Sequence, residues 1–386
     1  MYISRESEKS LEYLLTCYPV VSVNGPRQCG KSTMIINCLK DYAYISLDDP
    51  NTLKTIQLDP LNYLKNIGDK VIIDEAQYYP EVFHIIKLLS DKNNKQGQFV
   101  ITGSLNFLMM KEIQESLAGR VGIIRMLPLS FREISNHYKN NSYKKLITNG
   151  GYPRLYKTKI APHLFFRDYL DTYIKRDVKD LLNIRNINDF EKFLTLIAHN
   201  CSNVLNYSMI SKTLGININT VRSWISILAS SYIIFLLNSY SSNNKTRMIK
   251  SPKIYFNDTG LLCYLLGIIS EKDYELSNDK GKVFENFIIS EKIKNYENTL
   301  NQPKFSFYRD TNNVEVDLID ETDHSNTSLI EIKSSAIYRD EYKKNIDKVA
   351  ERIQHNKLSK KLIYCGNTVF KDNDISVATP TTELLL

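Results

Sequence analysis

The segment GPRQCGKST, residues 25–33, constrains this chain more than any other part of it. It has the spacing GxxxxGK[ST], and it stands between an apolar run, 20–24, and a helical pattern that begins at Lys31. That order has a chemical use. Backbone N–H groups of such a loop, together with the start of the following helix, can surround a phosphate. Lys31 can then reach the β- and γ-phosphates of a nucleotide, and the Ser32 hydroxyl can ligate Mg2+. Gly25, Pro26, Arg27, Gln28, Cys29, Gly30, Lys31, Ser32 and Thr33 are therefore the candidate nucleotide-binding residues, with Cys29 a filler of the loop.

A second apolar run, 71–74, ends in Asp74 and Glu75. A carboxylate at the carboxyl end of a strand can hold the Mg2+ of a bound nucleotide. Asp74 takes that role here, and Glu75 is the group expected to polarise an attacking water, so the reaction expected is ATP hydrolysis. The next run, 99–102, ends in small hydroxyl residues, and Thr102 or Ser104 is the candidate sensor of the γ-phosphate. Arg120, just before a fifth run at 121–127, is the candidate arginine finger; a structural ion pair is the competing reading. Near-continuous apolar runs at 20–24, 43–47, 71–74, 99–102 and 121–127 read as strands buried on both faces of a parallel sheet. The spacers between them are long enough for crossover helices at 31–39 and 81–89. The fold class expected is α/β, a doubly wound P-loop NTPase sheet.

Charge matters where it is concentrated. The chain has 50 Lys and Arg against 43 Asp and Glu, a net +7, yet residues 192–257 contain no Asp or Glu at all. That stretch carries Lys192, Lys212, Arg222, Lys245, Arg247, Lys250 and Lys253, which is the whole of the excess. A basic block inside an otherwise balanced chain is an electrostatic footprint for a polyanion, with nucleic acid the first candidate. Within it, 207–215 reads as a short helix ending in Gly215, and 216–229 as a second helix opening on Asn and Thr. Two helices joined by a tight glycine turn are a helix-turn-helix signature. Two strand-like runs follow, at 232–240 and 248–256, which makes a hairpin wing with Lys245 and Arg247 near its tip. Asn219, Thr220 and Arg222 at the start of the second helix, with Lys245 and Arg247, are the expected nucleic-acid contacts; a docking module between domains is the alternative.

From residue 281 the pattern becomes helix (282–296), three strands (305–309, 314–319, 328–333), helix (338–354) and strand (361–365). Glu285 lies in the first helix and Asp317 in the second strand, while Glu331 and Lys333 share one face of the third because they are two apart. Three carboxylates and a lysine can bind one or two Mg2+ ions and activate a water against a phosphodiester. Asp317 and Glu331 are the expected metal ligands, and Lys333 would orient or deprotonate the water. Arg309 could steady a phosphate or pair with Glu315. The six cysteines form no CxxC pair, the six histidines show no ligand spacing, and the N-terminus lacks the apolar core of a signal peptide. A reducing, cytoplasmic location is expected.

Over nearly its whole length the chain resembles the AAA-type ATPases of archaea and bacteria that carry a C-terminal PD-(D/E)XK restriction-endonuclease-like domain. The motifs that carry the resemblance are GPRQCGKST (25–33), SLDDP (46–50), VIIDEAQ (71–77), ITGSLN (101–106), SLAGR (116–120), GGYP (150–153), IKRDV (174–178), KIYFNDTGLL (253–262), GKVFENF (281–287), FYRDTNNVEVDLI (307–319) and IEIKSS (330–335). The resemblance implies Walker roles for Lys31, Ser32, Asp74 and Glu75, and a nuclease pattern on Glu285, Asp317, Glu331 and Lys333. Val316-Asp317 stands where the family pattern has Pro-Asp, which leaves the acid intact. The expected division is a P-loop ATPase domain at 1–135, a helical linker or lid at 136–187, a winged helix at 188–257 and a nuclease-like domain at 258–386. The expected activity is ATP hydrolysis that gates Mg2+-dependent cleavage of DNA. The alternative is an ATP-dependent DNA-binding switch with a silent nuclease fold. ATP and Mg2+ are the cofactors expected and DNA the partner. A homo-oligomer is left open, and no membrane contact is expected.

Overall fold

The computed structural model describes residues 2–103, 113, 115–139, 142–174, 187–240, 251–353 and 357–385. Its first sheet holds β1 (Val20–Asn24), β2 (Ala43–Ser46), β3 (Val71–Asp74), β4 (Phe99–Gly103) and β5 (Val121–Arg125) in the order β2-β3-β4-β1-β5. Every pairing is parallel. β1, β3 and β4 are buried along their whole length, as their unbroken apolar runs require. Two helices not expected from the sequence, Pro50–Leu58 and Pro60–Ile67, lie between β2 and β3. Each has Pro at its first turn, and each has an aspartate cap: Asp49 accepts from Thr52 N at 2.9 Å and Asp59 from Asn62 N at 3.1 Å. Asp-Pro was the local signal for both.

The strand order decides the site. β4 lies between β1 and β3, with Thr102 beside Val23 and Ile101 beside Ile73. The end of β4 therefore separates the phosphate loop, which leaves β1, from Asp74, which ends β3.

The middle of the chain is helical: Phe131–His137, Tyr143–Asn149, Pro153–Lys157, Pro162–Tyr169, Ile187–His199, Tyr207–Leu214 and Ile218–Ser230. The last two are joined through Gly215, whose φ of 66° needs the left-handed region that glycine tolerates. β6 (Ile234–Leu237) and β7 (Lys253–Phe256) follow as an antiparallel pair, shorter than the sequence suggests. The second large sheet is mixed, in the order β12-β13-β11-β10-β9-β8. It is built from β8 (Phe305–Arg309), β9 (Glu315–Asp320), β10 (Thr327–Lys333), β11 (Leu358–Tyr364), β12 (Phe370–Asp372) and β13 (Ile375–Ala378). The expected helix at 338–354 is shorter, a single 3-10 turn followed by Lys344–Ala350. β12 and β13 were not expected, being too short to show periodicity.

One buried core runs without interruption from Phe131 through Phe190, Trp224 and Phe256 to Phe284, Ile330 and Ile363. The GGYP and NDTG motifs dock inside it. The Asp258 carboxylate accepts from Gly151 N at 2.7 Å and caps the next helix at Leu261 N at 3.0 Å. A side-chain carbon on Gly260 would lie 2.5 Å from Gly150 N, so only glycine fits that contact. Among the described residues no helix is long and apolar enough to cross a membrane.

Candidate functional site

At the end of β1 the chain turns through the phosphate loop into helix Lys31–Cys38. Gly25 passes so close to the backbone that a β-carbon there would fall 2.0 Å from Met126 O, and Gly30 adopts φ 99°. Lys31 is buried, and its ammonium donates to Gly25 O and Pro26 O at 3.0 Å each. Ser32 Oγ donates to Asp74 Oδ1 at 3.0 Å, so the two motifs identified separately in the sequence meet. Asp74 takes two further donors, Thr102 Oγ1 at 2.7 Å and Tyr44 OH at 2.6 Å. Burial and this bond to Asp74 hold the Tyr44 phenol well above its ordinary pKa. Glu75 sits at φ 53° and accepts from the Gln77 amide. Tyr44 was missed because nothing local says that β2 lies beside β3. A hard cation fits between Ser32 and Asp74, whose oxygens are already adjacent.

The cavity in front of the loop is about 420 Å3 and is walled by Arg27, Gln28, Thr33 and Glu75 on one side and by Pro153, Arg154 and Lys157 on the other. Arg154 and Lys157 directly follow the GGYP turn, and the sequence reading gave them no role. Cys29 is buried, with its thiol on Met126 O at 3.3 Å and its carbonyl receiving Arg5 Nη1 at 2.9 Å. Of the two sensor candidates, Thr102 lies on Asp74, and Ser104 lies outside the described residues. The structure does not bring Arg120 to the phosphate loop of its own chain. Arg120 O accepts from Val20 N at the start of β1, whereas the phosphate loop leaves its far end. A five-residue strand separates them, about 17 Å, and Arg120 instead pairs with Asp91 at 2.5 Å.

In the basic segment Lys192, Lys212, Asn219 and Arg222 are exposed and Thr220 is half-buried. The Arg222 guanidinium lies 5.5 Å from the Tyr207 ring centre. Arg222 and Arg309 line one cleft of about 1000 Å3 together with Tyr207 and Tyr308. Arg309 also pairs with Glu315 at 3.5 Å, which favours the structural reading of that residue. Lys245, Arg247 and Lys250 lie outside the described residues. Lys253 must be removed from the polyanion footprint: it is 1% exposed and turned into the protein.

Glu285, Asp317, Glu331 and Lys333 do converge. Lys333 Nζ donates to Glu331 Oε1 at 2.5 Å, and Asp317 Oδ2 accepts from Ile332 N at 2.8 Å. Burial, and then the charge of Asp317, push Glu285 up to about 7 and Glu331 up to about 8. Two residues the sequence reading did not assign complete the centre. Lys253 Nζ lies 3.0 Å from Glu285 Oε1 and 2.6 Å from Glu315 Oε1, and Tyr255 OH donates to Glu285 Oε1 at 2.6 Å. Burial works against the Lys253 ammonium, but Glu285, Asp317 and Glu315 outweigh it and hold its pKa up. The signal available was a Lys and a Tyr two apart on one strand face.

Among the described residues no group of three His, Cys, Asp or Glu side chains is arranged to hold a metal ion. Glu285 is drawn onto Lys253 and Tyr255. Glu331 Oε2, however, is buried and accepts no hydrogen bond among the described residues. Asp317 and Glu331 thus fit one hard cation, and the three-carboxylate expectation is narrowed to that pair.

Residues 18–135 match the family described as AAA domain. Residues 140–272 match the domain of unknown function DUF8612, and residues 280–384 the domain of unknown function DUF4143. An uncharacterized protein of Mycobacterium tuberculosis is 28% identical over 290 residues, covering 74% of this chain and 65% of the relative. One of Methanocaldococcus jannaschii is 26% identical over 314 residues, covering 73% of this chain and 68% of the relative. The match to the mycobacterial relative thus spans about two thirds of that protein's length. Among solved structures, the Walker-type ATPase PABY2304 of Pyrococcus abyssi is 15% identical with a TM-score of 0.45, over 68% of this chain and 95% of that one. RuvB of Thermotoga maritima is 17% identical with a TM-score of 0.31, over 59% of this chain and 88% of that one. Residues 18–135 are accordingly an AAA-type P-loop domain.

Proposed function

We propose that the protein is an ATP-hydrolysing switch that engages DNA and gates its Mg2+-dependent cleavage at the carboxylate centre. The observation that carries the coupling is helix Lys280–Asn298, 19 residues or about 28 Å long. Near one end it bears Glu285. Its other half is fastened to the first 135 residues: Phe131 N donates to Glu291 Oε2 at 2.6 Å, Arg125 pairs with Glu297 at 3.2 Å, and Ser10 Oγ donates to Asn298 O at 2.7 Å. A shift of the ATPase domain is thereby transmitted along one rigid element to the carboxylates.

In the hydrolysis step Lys31 leaves its two loop carbonyls for the nucleotide's phosphates. Ser32 and Asp74 would hold the accompanying Mg2+, which neutralises phosphate charge. Thr102 and Tyr44 fix the Asp74 carboxylate, and Glu75 takes the proton of the water that attacks the γ-phosphate, releasing ADP and phosphate. Arg154 and Lys157 face the same cavity and supply the positive charge that Arg120 is too distant to give. At the carboxylate centre Asp317 and Glu331 would hold Mg2+, while Lys333 orients the water. Arg222, with Lys245 and Arg247, contacts DNA phosphates.

A second reading, a nucleotide-dependent DNA-binding switch with a silent centre, is favoured by one observation: Lys253, Tyr255, Lys333 and Ile332 N already meet the carboxylates. Incubation with linear, circular and branched DNA, with and without ATP and Mg2+, separates the two. Cleavage that needs Mg2+ and disappears in Asp317→Ala and Lys333→Ala, with ATP turnover intact, is expected. DNA binding without cutting of any of the three substrates gives the second reading.

A further inference from the structure

Lys253 and Tyr255 belong to the last strand of the middle segment, yet both act on a carboxylate more than 25 residues further along the chain. The sequence separation is 32 for Lys253 with Glu285 and 30 for Tyr255 with Glu285. Alternation along β7 puts the two side chains on one face, and both reach the same atom, Glu285 Oε1. Lys253 is also in contact with the Phe307 ring, 5.3 Å from its centre, which closes the apolar side of the ammonium. A buried ammonium is retained only where carboxylates surround it, and this one has two, Glu285 and Glu315.

The consequence concerns metal stoichiometry. A divalent ion takes carboxylate oxygens that no stronger donor already occupies. Glu285 Oε1 carries two donors and Glu315 Oε1 carries the ammonium. Glu331 differs in burial: Lys333 uses Oε1, and Oε2 is buried without a partner among the described residues, whereas the Glu285 side chain is 15% exposed. We propose that Lys253 is a resident cation standing where a second divalent ion would need Glu285 and Glu315, so that the centre takes a single divalent cation, on Asp317 and Glu331. Lys253 and Tyr255 are then positioning residues, and the middle segment supplies part of the centre. The inference rests on the carboxylate centre being a metal site, as proposed above.

The test counts Mn2+, an ion that replaces Mg2+ at oxygen sites, by the loss of its free-ion electron paramagnetic resonance signal in the nucleotide-free full-length protein. Wild type should bind one ion whose affinity falls by roughly 30-fold or more in Asp317→Asn, about 2 kcal/mol. Ions that persist in Asp317→Asn belong elsewhere and are subtracted. Glu285→Gln, which is isosteric, should leave the affinity within about threefold, less than 1 kcal/mol. Lys253→Gln should add a second ion, and Lys253→Gln combined with Glu285→Gln should remove it again. The inference is overturned if Glu285→Gln weakens the ion as much as Asp317→Asn, or if wild type binds a second Asp317-dependent ion. A folded Lys253→Gln that gains no ion overturns it too. Should Lys253→Gln fail to melt cooperatively, Glu285→Gln decides alone. Cleavage is read separately. A chain that binds one ion this way but cuts no DNA refutes the nuclease reading and leaves the inference standing. Cleavage with a Glu285-dependent ion does the reverse, and no Asp317-dependent ion at all refutes the metal premise itself.

Discussion

Replacing Thr102 by valine tests whether this residue supports Asp74 or senses the nucleotide directly. Thr102 is fully buried, and valine nearly matches its shape, so no cavity forms. What is lost is one hydrogen bond, 2.7 Å long, to a carboxylate. Bonds to charged groups contribute about 1.5–3 kcal/mol. Asp74 keeps Ser32 at 3.0 Å and Tyr44 at 2.6 Å, so no oxygen is stranded and the loss stays near the middle of that range, about 2 kcal/mol. At roughly 2–4 °C per kcal/mol this lowers the melting temperature of the ATPase unit by roughly 4–8 °C. Mg2+ held by Ser32 and Asp74 would draw on the Ser32 hydroxyl, leaving Thr102 and Tyr44 as the donors that fix the Asp74 carboxylate. Because the Thr102 bond to Asp74 is already present before the nucleotide arrives, its loss should change Mg·ATP affinity only by the difference between the two states, within about threefold or less than 1 kcal/mol. Calorimetry of the free protein and nucleotide titrations with and without Mg2+ read both effects. A Thr102→Val protein with wild-type melting and wild-type Mg·ATP affinity, but with turnover lost, would mean that Thr102 touches the γ-phosphate, and the support role would be wrong.

Further outcomes follow from the same geometry. Arg154→Ala should raise the KM for ATP about tenfold, a loss near 1.4 kcal/mol. Arg120→Ala, which breaks the ion pair with Asp91 and a bond to Ala118 O, should leave KM unchanged, as a steady-state assay of both will show. Glu75→Gln should bind ATP and turn over poorly; hydrolysis at the wild-type rate removes Glu75 as the base. Burial and the Asp317 charge raise Glu331 to about 8 from an ordinary 4.5. Between those values the native chain binds the extra proton, so the contribution of this group to metal-free stability is full below about 4.5 and is lost as pH rises through about 8. Thermal melts across pH 5 to 9 should show that decline, flattened in Glu331→Gln. Changing Arg222, Lys245 and Arg247 together to Ala should weaken binding to every DNA sequence and flatten its salt dependence; unchanged binding would favour a docking role for the helix pair.

The phosphate loop was legible because its constraints are local. Gly25 and Gly30 answer to backbone crowding and a positive φ within the loop, and Lys31 and Ser32 follow at fixed helical spacing. β1, β3 and β4 were legible for a similar reason, since strands buried on both faces cannot hide their apolar runs, whereas β2 and β5 are partly exposed. The i, i+2 relation of Glu331 and Lys333 needed nothing beyond the period of a strand. What no local pattern could supply was the order of strands and the partner of each charge. Arg120 and the phosphate loop are near neighbours in a list of motifs, but the parallel pairing of β1 with β5 puts them at opposite ends of neighbouring strands. Lys253 reads as one more cation in a basic segment, and it is buried only because Glu285 and Glu315 arrive from a later helix and strand. Burial of a charge depends on what surrounds it, and those surroundings are assembled from positions 32 and more residues away. Tyr44, Thr102 and Asp74 likewise meet only because β2, β3 and β4 lie side by side. The residue types capable of chemistry are written in the chain; which of them remain free to perform it is decided by the neighbours that folding gives them.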